Sequence, residues 1–164
     1  MRRFVFLFII VSGIAGFAVS CAQRDDVPKV NAELYFADAR LNRLLKYDDE
    51  LIDASTENMA ECALKKLIAG RDDNDNIRRI IPEMDKCLTV KVKGTTAYVD
   101  INSKIKSEMS CHEETERLFI YQIVNTFTSI RGIRFVKFTI DGSIRKDFMG
   151  FYDMRDTFKY TYPE

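Results

Sequence analysis

One short stretch of this 164-residue chain brings a thiol next to an imidazole: Cys111 and His112, the sole histidine, precede Glu113 and Glu114. A cysteine nucleophile with a histidine base, or a metal bound by thiolate, imidazole and carboxylate, would use these residue types. Adjacent residues diverge unless the backbone turns sharply, and a tetrahedral zinc site needs further, spaced ligands. We therefore interpret the stretch as the start of a helix, whose dipole the glutamates favour, and predict no catalytic residue, metal or cofactor. A small thiol-dependent hydrolase using Cys111 and His112 is the alternative.

The acidic residues offer two further candidate sites. One group lacks the Asp-x-Asp-x-Asp-Gly order of a calcium loop and is interpreted as a solvated acidic loop. It comprises Asp48, Asp49, Glu50 and Asp53. The other candidate is Asp100, at the end of a predicted strand, which we expect to bond backbone amides locally, together with Ser103, as turn residues do.

A third candidate is Cys21, at the end of the N-terminal segment. Arg2 and Arg3 precede an apolar run from Phe4 to Ala18, and the run ends in Ala18-Val19-Ser20-Cys21. This ending resembles the lipobox of bacterial lipoproteins, which implies that residues 1–20 are a signal peptide and that Cys21 carries fatty acyl groups such as palmitate. A cleaved secretory signal and an uncleaved anchor are the alternatives, although the run is short against the ~20 apolar residues of a spanning helix.

Composition and position give the expected surroundings of the mature chain. Residues 21–31 are predicted to be the lipidated cysteine and a flexible tether, followed by one folded domain over 32–160. The chain has 25 basic and 25 acidic residues, and this balance does not suit nucleic acid. We expect an extracytoplasmic protein, anchored to a bacterial membrane by lipid on Cys21. Cys62, Cys87 and Cys111 are expected as three thiols, with one disulfide plus a thiol, or an intermolecular disulfide, as alternatives.

Hydrophobic periodicity predicts a chain of alternating strands and helices. The strands are placed at 34–36, 44–47, 88–92, 97–101, 136–140 and 143–148, with turns at Gly94-Thr95 and Asp141-Gly142. One helix is capped by Ser55 and Gly70, and a second runs from about Glu113 to Ile130, with Gln122, Asn125 and Ser129 opposite its apolar stripe. The predicted fold class is α+β, a two-layer sandwich of a mixed sheet with both helices on one face.

Five stretches together resemble the GerMN domain, named for a sporulation and spore-germination protein. They are Leu34-Tyr35-Phe36, the helix from Ala60 to Gly70, Ile81-Pro82-Glu83 with the hairpin through Ala97-Tyr98-Val99-Asp100, Ile123 to Phe127, and Val136 to Gly142. Departures lie in turns: Met84-Asp85 stands where the family has glycine, Arg131-Gly132 replaces Pro-Gly, and the ending 153–158 is altered.

The resemblance implies a noncatalytic module of the cell envelope, often on a lipoprotein, with a topology similar to ring-building modules of secretion and sporulation complexes. It implies envelope proteins, and a second copy of the chain, as partners. From the residues themselves, the aromatic tail is our candidate binding patch, at Phe151, Tyr152, Phe158 and Tyr160. A solute-binding lipoprotein is a further alternative.

Overall fold

The computed structural model describes residues 28–53, 55–71, 75–84 and 86–161, so the predicted signal peptide and Cys21 lie outside the described residues. These residues form five strands, two α-helices and one 3-10 helix, and the predicted α+β class is confirmed. The strands are β1 (Lys29–Ala37), β2 (Leu44–Ile52), β3 (Leu88–Lys93), β4 (Thr96–Ile101) and β5 (Phe135–Ile140); the α-helices are α1 (Thr56–Ala69) and α2 (Glu113–Ser129). The described strands form two sheets, β1-β2 and β3-β4-β5.

The first sheet is longer than its apolar residues alone indicated. β1 and β2 pair antiparallel along nine residues each, from Lys29 opposite Ile52 to Ala37 opposite Leu44. Residues 29–31 therefore belong to the sheet and not to the tether predicted over 21–31; cross-strand pairing, including a 2.9 Å ion pair between Lys29 and Glu50, extends order to the start of β1. The prediction that the acidic group forms a solvated loop is also wrong, because Asp48 to Glu50 lie in β2.

The second sheet contains the predicted hairpin. β3 and β4 pair antiparallel around Gly94, whose φ of 59° suits the two-residue turn. β5 then adds parallel to β4, after α2 crosses between them. The predicted return strand at 143–148 is wrong: only an isolated bridge joins Ile140 to Ser143, because the outer edge of β5 is taken by Phe158. Phe158 exchanges two backbone hydrogen bonds with Val136, of 2.9 and 2.7 Å.

Helix α1 follows its local signals. Ser55 caps it by accepting a 3.2 Å hydrogen bond from the Asn58 amide, and Gly70 follows the last turn with a φ of 72°. A single apolar stripe of α1 is buried, as predicted, and it packs mainly against β3.

Helix α2 is buried on more than one face. It packs mainly against β1, and also against β5 and α1. Gln122 and Asn125, predicted to lie on an exposed polar face, are buried with 2% and 0% of their surface exposed. The reason is that the chain after β5 covers the side of α2 that a one-faced helix would leave in water: Asn125 exchanges hydrogen bonds of 2.8 and 3.1 Å with the backbone of Thr161. None of the helices in the described residues has the length and apolarity to cross a membrane.

Candidate interaction surfaces

The Cys111–His112 stretch forms the entry to α2. His112 stands at the N-cap with extended backbone, and Cys111 is exposed. Within the described residues, neither the thiol nor the imidazole has a hydrogen bond or ion pair, and no group of three or more His, Cys, Asp or Glu could bind a metal. Glu113 and Glu114 lie in the first helical turn, where the dipole favours them. The arrangement therefore begins a helix, as interpreted from the sequence, and no disulfide joins Cys62, Cys87 and Cys111.

Asp100 is tied into the turn that follows β5. One of its carboxylate oxygens accepts hydrogen bonds from the Thr139 hydroxyl at 2.6 Å and from the Gly142 amide at 2.8 Å. Asp141 accepts from the Ser103 amide at 3.0 Å, and the hydrogen bonds from Ser103 lower the pKa of Asp141 below its usual range. Asp100 thus accepts from a backbone amide, but the predicted local bonding is wrong: Gly142 lies 42 residues further along the chain, and the amide of Ser103 donates to Asp141.

The four tail aromatics predicted as a binding patch occupy two kinds of position. Phe158 is half-buried, with its ring 5.4 Å from Phe138 and 6.3 Å from Tyr121 between centroids, and Tyr152 packs edge-on against Tyr121 at 6.4 Å. Phe151 and Tyr160 remain exposed. Phe151 and Tyr160 are therefore the solvent-exposed members of the predicted patch, while Tyr152 and Phe158 pack the tail onto α2 and β5.

Glu116 fixes the start of that tail and was missed in the sequence. Its side chain is fully buried, one oxygen accepting from the Met149 amide at 2.9 Å and the other from the Phe151 amide at 3.0 Å. A glutamate in the first turn of a helix behind two others carries no sequence signal of burial. Its contact partners lie 33 and 35 residues away, so only the tertiary fold identifies it.

The free edge of β1 is closed by hydroxyls of α2. The Tyr35 amide donates to Thr126 Oγ1 at 3.0 Å, and Ser129 Oγ bonds both the amide and the carbonyl of Glu33. Unpaired strand edges attract other strands, and these side chains take the place of a third strand. The polar residues of α2 thus join it to the sheet.

A polar cluster lies on the outer side of β1. The Tyr35 hydroxyl donates to Glu33 at 2.8 Å, Lys46 forms an ion pair with the same carboxylate at 2.8 Å, and the ring of Tyr160 packs edge-on against Tyr35. Burial, and hydrogen bonds with Tyr160 and Glu33, raise the pKa of Tyr35. A hydrogen bond from Lys46, and to a smaller extent one from Tyr35, lowers the pKa of Glu33. Tyr35 therefore stays a donor and Glu33 a charged acceptor.

A groove of about 660 Å³ opens at the connection between β1 and β2. Leu45 and Tyr47 line it on one side, and the exposed Arg40 and Arg43 on another. Asp38, also in the lining, accepts hydrogen bonds from the amides of Asn42 and Arg43 and shapes the connection. The groove is thus a polar, solvent-open recess.

The second sheet presents one covered and one open face. Its covered face carries apolar residues such as Val90, Val99 and Val136, all buried. On the open face, register places Lys91, Tyr98 and Lys137 side by side in one row across the three strands. Lys93 lies on the same face two residues from Lys91, with its Nζ 5.8 Å from the centre of the Tyr98 ring. An exposed aromatic thus sits in the middle strand between lysines.

The fold and these surfaces define a small α+β domain. Its Asp100 and Glu116 carboxylates accept hydrogen bonds from its own backbone, and its second sheet is open on one face. A family model described as Germane, sporulation and spore germination, matches residues 33–146. The chain belongs to this family, and its folded part is a GerMN-type domain.

Solved structures share the fold at low sequence identity. The first GerMN domain of the sporulation protein GerM from Bacillus subtilis is 22% identical, with a TM-score of 0.56, over 80% of this chain and 97% of that one. The tandem GerMN domains of the same protein give 23% identity and a TM-score of 0.59, over 77% of this chain and 44% of that one. A candidate lipoprotein from Clostridium perfringens gives 20% and 0.55, over 82% and 90%. No curated protein shows a significant sequence match.

Proposed function

We propose that this chain is a lipid-anchored protein of the bacterial cell envelope whose single GerMN-type domain binds other envelope proteins and catalyses no reaction. The observation that carries the proposal is the family match across residues 33–146, which makes nearly the whole described domain a sporulation-type module. A structural neighbour from Clostridium perfringens is described as a candidate lipoprotein, which agrees with an anchor.

The anchor follows from Ala18-Val19-Ser20-Cys21, which stands eight residues before β1 begins at Lys29. A segment of that length spans at most ~25–30 Å when extended, so the lipid would keep the domain close to the membrane surface. One acyl chain binds a membrane only marginally, whereas two or more give lasting attachment. We therefore expect more than one chain on Cys21.

The noncatalytic role is supported by how the domain uses its polar groups. Asp100, a candidate from the sequence, and Glu116, which is fully buried, each accept hydrogen bonds from backbone amides of the fold. A carboxylate held in this way is committed to structure and is poorly placed to transfer protons.

The first experiment examines the anchor in a bacterial host that expresses the full chain. Mass spectrometry of the mature N-terminus should find acylated Cys21, and detergent-phase partitioning should hold the protein in the lipid fraction. Cys21→Ser should abolish both. The matched control is Cys111→Ser, which removes the exposed thiol of the folded domain and should change neither. A mature Cys21 without lipid would refute the anchor.

The second experiment examines the binding role. Cross-linking of the lipidated protein in its own membranes, followed by affinity purification, should recover a defined set of envelope proteins that is lost with Cys21→Ser. Thiol alkylation across a pH series examines the hydrolase alternative at the same time. Recovery of no protein from properly acylated material would contradict a binding role, and turnover that depends on Cys111 would contradict a noncatalytic one.

A further inference from the structure

We infer that the open face of the β3-β4-β5 sheet is a docking surface for an acidic polypeptide segment. The surface is defined by Lys91, Lys93, Tyr98, Phe135 and Lys137 and is called the lysine face below. The inference rests on the proposed binding function and names the surface and the chemistry of its partner.

In the part of the chain that the structure describes, the lysines of the lysine face have no acidic partner. Among the ion pairs of the described residues, none involves Lys91, Lys93 or Lys137. Lys137 donates from Nζ to the backbone carbonyl of Arg155 at 2.5 Å, which holds its ammonium group at the sheet. Asp100, the carboxylate on the same face, is already bonded to Thr139 and Gly142. Three positive charges are thus left to a partner.

The position of the aromatic residue distinguishes this face from ordinary protection of a sheet edge. Lysines on an edge strand discourage unwanted strand pairing, and this accounts for Lys91 and Lys93 on β3. It does not account for Tyr98, which lies on the central strand β4 and is 38% exposed. Lys137 lies on β5, the other edge strand, whose outer edge is already hydrogen-bonded to Phe158. A tyrosine at the centre with charges around it is the usual layout of a protein-binding surface, in which the aromatic anchors and the charges steer.

Spacing on the sheet favours an acidic chain with carboxylates at alternate positions. Lys91 and Lys93 are two residues apart on one strand, about 7 Å, and Lys91 and Lys137 are two strands apart, about 10 Å. An extended peptide lying along β3 repeats its side chains on one side at the same interval of about 7 Å, so two successive acidic side chains meet Lys91 and Lys93. Tyr98 then contacts the apolar stems between them.

Charge number argues against the other polyanions. Membrane-binding basic patches usually gather four to eight lysines and arginines, and duplex DNA binding takes roughly 6–10 phosphate contacts. The lysine face has three lysines around a tyrosine. Its six-residue strands and width of three strands make it smaller than a standard interface of about 800 Å² per partner, so binding should be weak and sensitive to salt.

The test measures binding of a fluorescent peptide of alternating glutamate and threonine to the full chain, by anisotropy at several salt concentrations. The wild-type protein should bind it, bind the glutamine-threonine analogue much more weakly, and lose affinity as salt rises. Lys91→Gln with Lys93→Gln should weaken binding about tenfold. Tyr98→Thr should weaken it while leaving the salt dependence intact.

The matched control removes two exposed lysines elsewhere, Lys65→Gln on α1 with Lys106→Gln on the 3-10 helix (Ser103–Glu108). The same loss of charge should leave binding close to wild type. Equal weakening by both pairs would overturn the inference, since net charge alone would then explain it. Binding to phosphatidylglycerol vesicles without binding to the acidic peptide would also overturn it, in favour of a lipid surface.

A last arm separates this inference from the proposed function. The lysine-face pair of substitutions is introduced into the lipidated protein, and cross-linking in membranes is repeated. Loss of wild-type partners supports the lysine face. Partners retained in full show that the domain binds through another surface, so the inference fails while the proposed function stands. No partners from either protein means that the proposed function itself fails.

Discussion

Replacement of Glu116 by alanine should loosen the whole chain segment that follows β5. The fully buried carboxylate of Glu116 accepts one hydrogen bond on each oxygen, from the amides of Met149 and Phe151. Met149 is itself buried, so its amide has no access to water after the substitution, whereas Phe151 is exposed and its amide is easily rehydrated. The cost should therefore come mainly from one unsatisfied buried donor.

The magnitude follows from that difference. An unsatisfied buried donor costs about 1–3 kcal/mol and a lost bond that water replaces about 1 kcal/mol. Removal of a buried charge also removes the cost of its desolvation, which offsets part of the loss. We expect a decrease of about 2 kcal/mol in the free energy of unfolding, or about 6 °C in Tm.

Urea denaturation of three variants checks this reasoning. Glu116→Gln should lose about half as much as Glu116→Ala, because its amide oxygen still accepts one bond while its amino group faces the other donor. Glu114→Gln is the matched control, since it changes an exposed carboxylate on the same helix turn and should cost at most about 0.5 kcal/mol. Hydrogen exchange at Met149 should accelerate in Glu116→Ala alone. If Glu116→Ala were as stable as the control, the assigned role of this carboxylate would be refuted.

Two further predictions concern β1. Thr126→Val removes the acceptor of the buried Tyr35 amide and should lower the free energy of unfolding by about 1–3 kcal/mol in urea denaturation. The control is Thr128→Val, which should cost less than about 0.5 kcal/mol because the Thr128 hydroxyl bonds only a carbonyl within α2. Equal costs would contradict closure of the strand edge. The pKa of Glu33 lies below its ordinary value of 4.5 in the folded state, because Lys46 and Tyr35 bond the charged form, so the unfolded state binds more protons in acid. This contribution to stability is present above about pH 4.5 and is lost as the pH falls through the folded pKa. Glu33→Gln should therefore reduce the fall in Tm over that pH range. The same dependence of Tm on acid pH in wild type and Glu33→Gln would contradict this prediction.

Elements with local signals were predictable from the sequence. The β3–β4 hairpin follows from strict alternation on either side of Gly94-Thr95, and α1 follows from an N-cap serine, an apolar stripe and a closing glycine. Each of these patterns is complete within about 15 residues, so the sequence contains all the information that places them. Strand β5 was predictable for the same reason, from the alternation of Val136, Phe138 and Ile140.

Features that depend on distant contacts were not predictable. The charged residues of β2 gave no strand pattern, because their pairing with β1, not burial, keeps them extended. Asn125 was assigned to water on helical periodicity, although the backbone of Thr161 pairs with its amide. The prediction of a return strand after Asp141-Gly142 is wrong because another segment pairs there. The turn dipeptide is present, but Phe158 already occupies the edge of β5 where that strand would pair. Local propensity cannot reveal which of two segments takes an edge.

Closure of two strand edges restricts how this domain can meet a partner. Side chains of α2 close the outer edge of β1, and Phe158 closes that of β5, so strand addition at either would have to displace part of the fold. Strands β2 and β3 carry charged side chains along their outer edges, which oppose pairing with a further strand. A partner that leaves the fold intact is therefore directed to a face and not to an edge. The lysine face is such a surface, and its charges select an acidic partner.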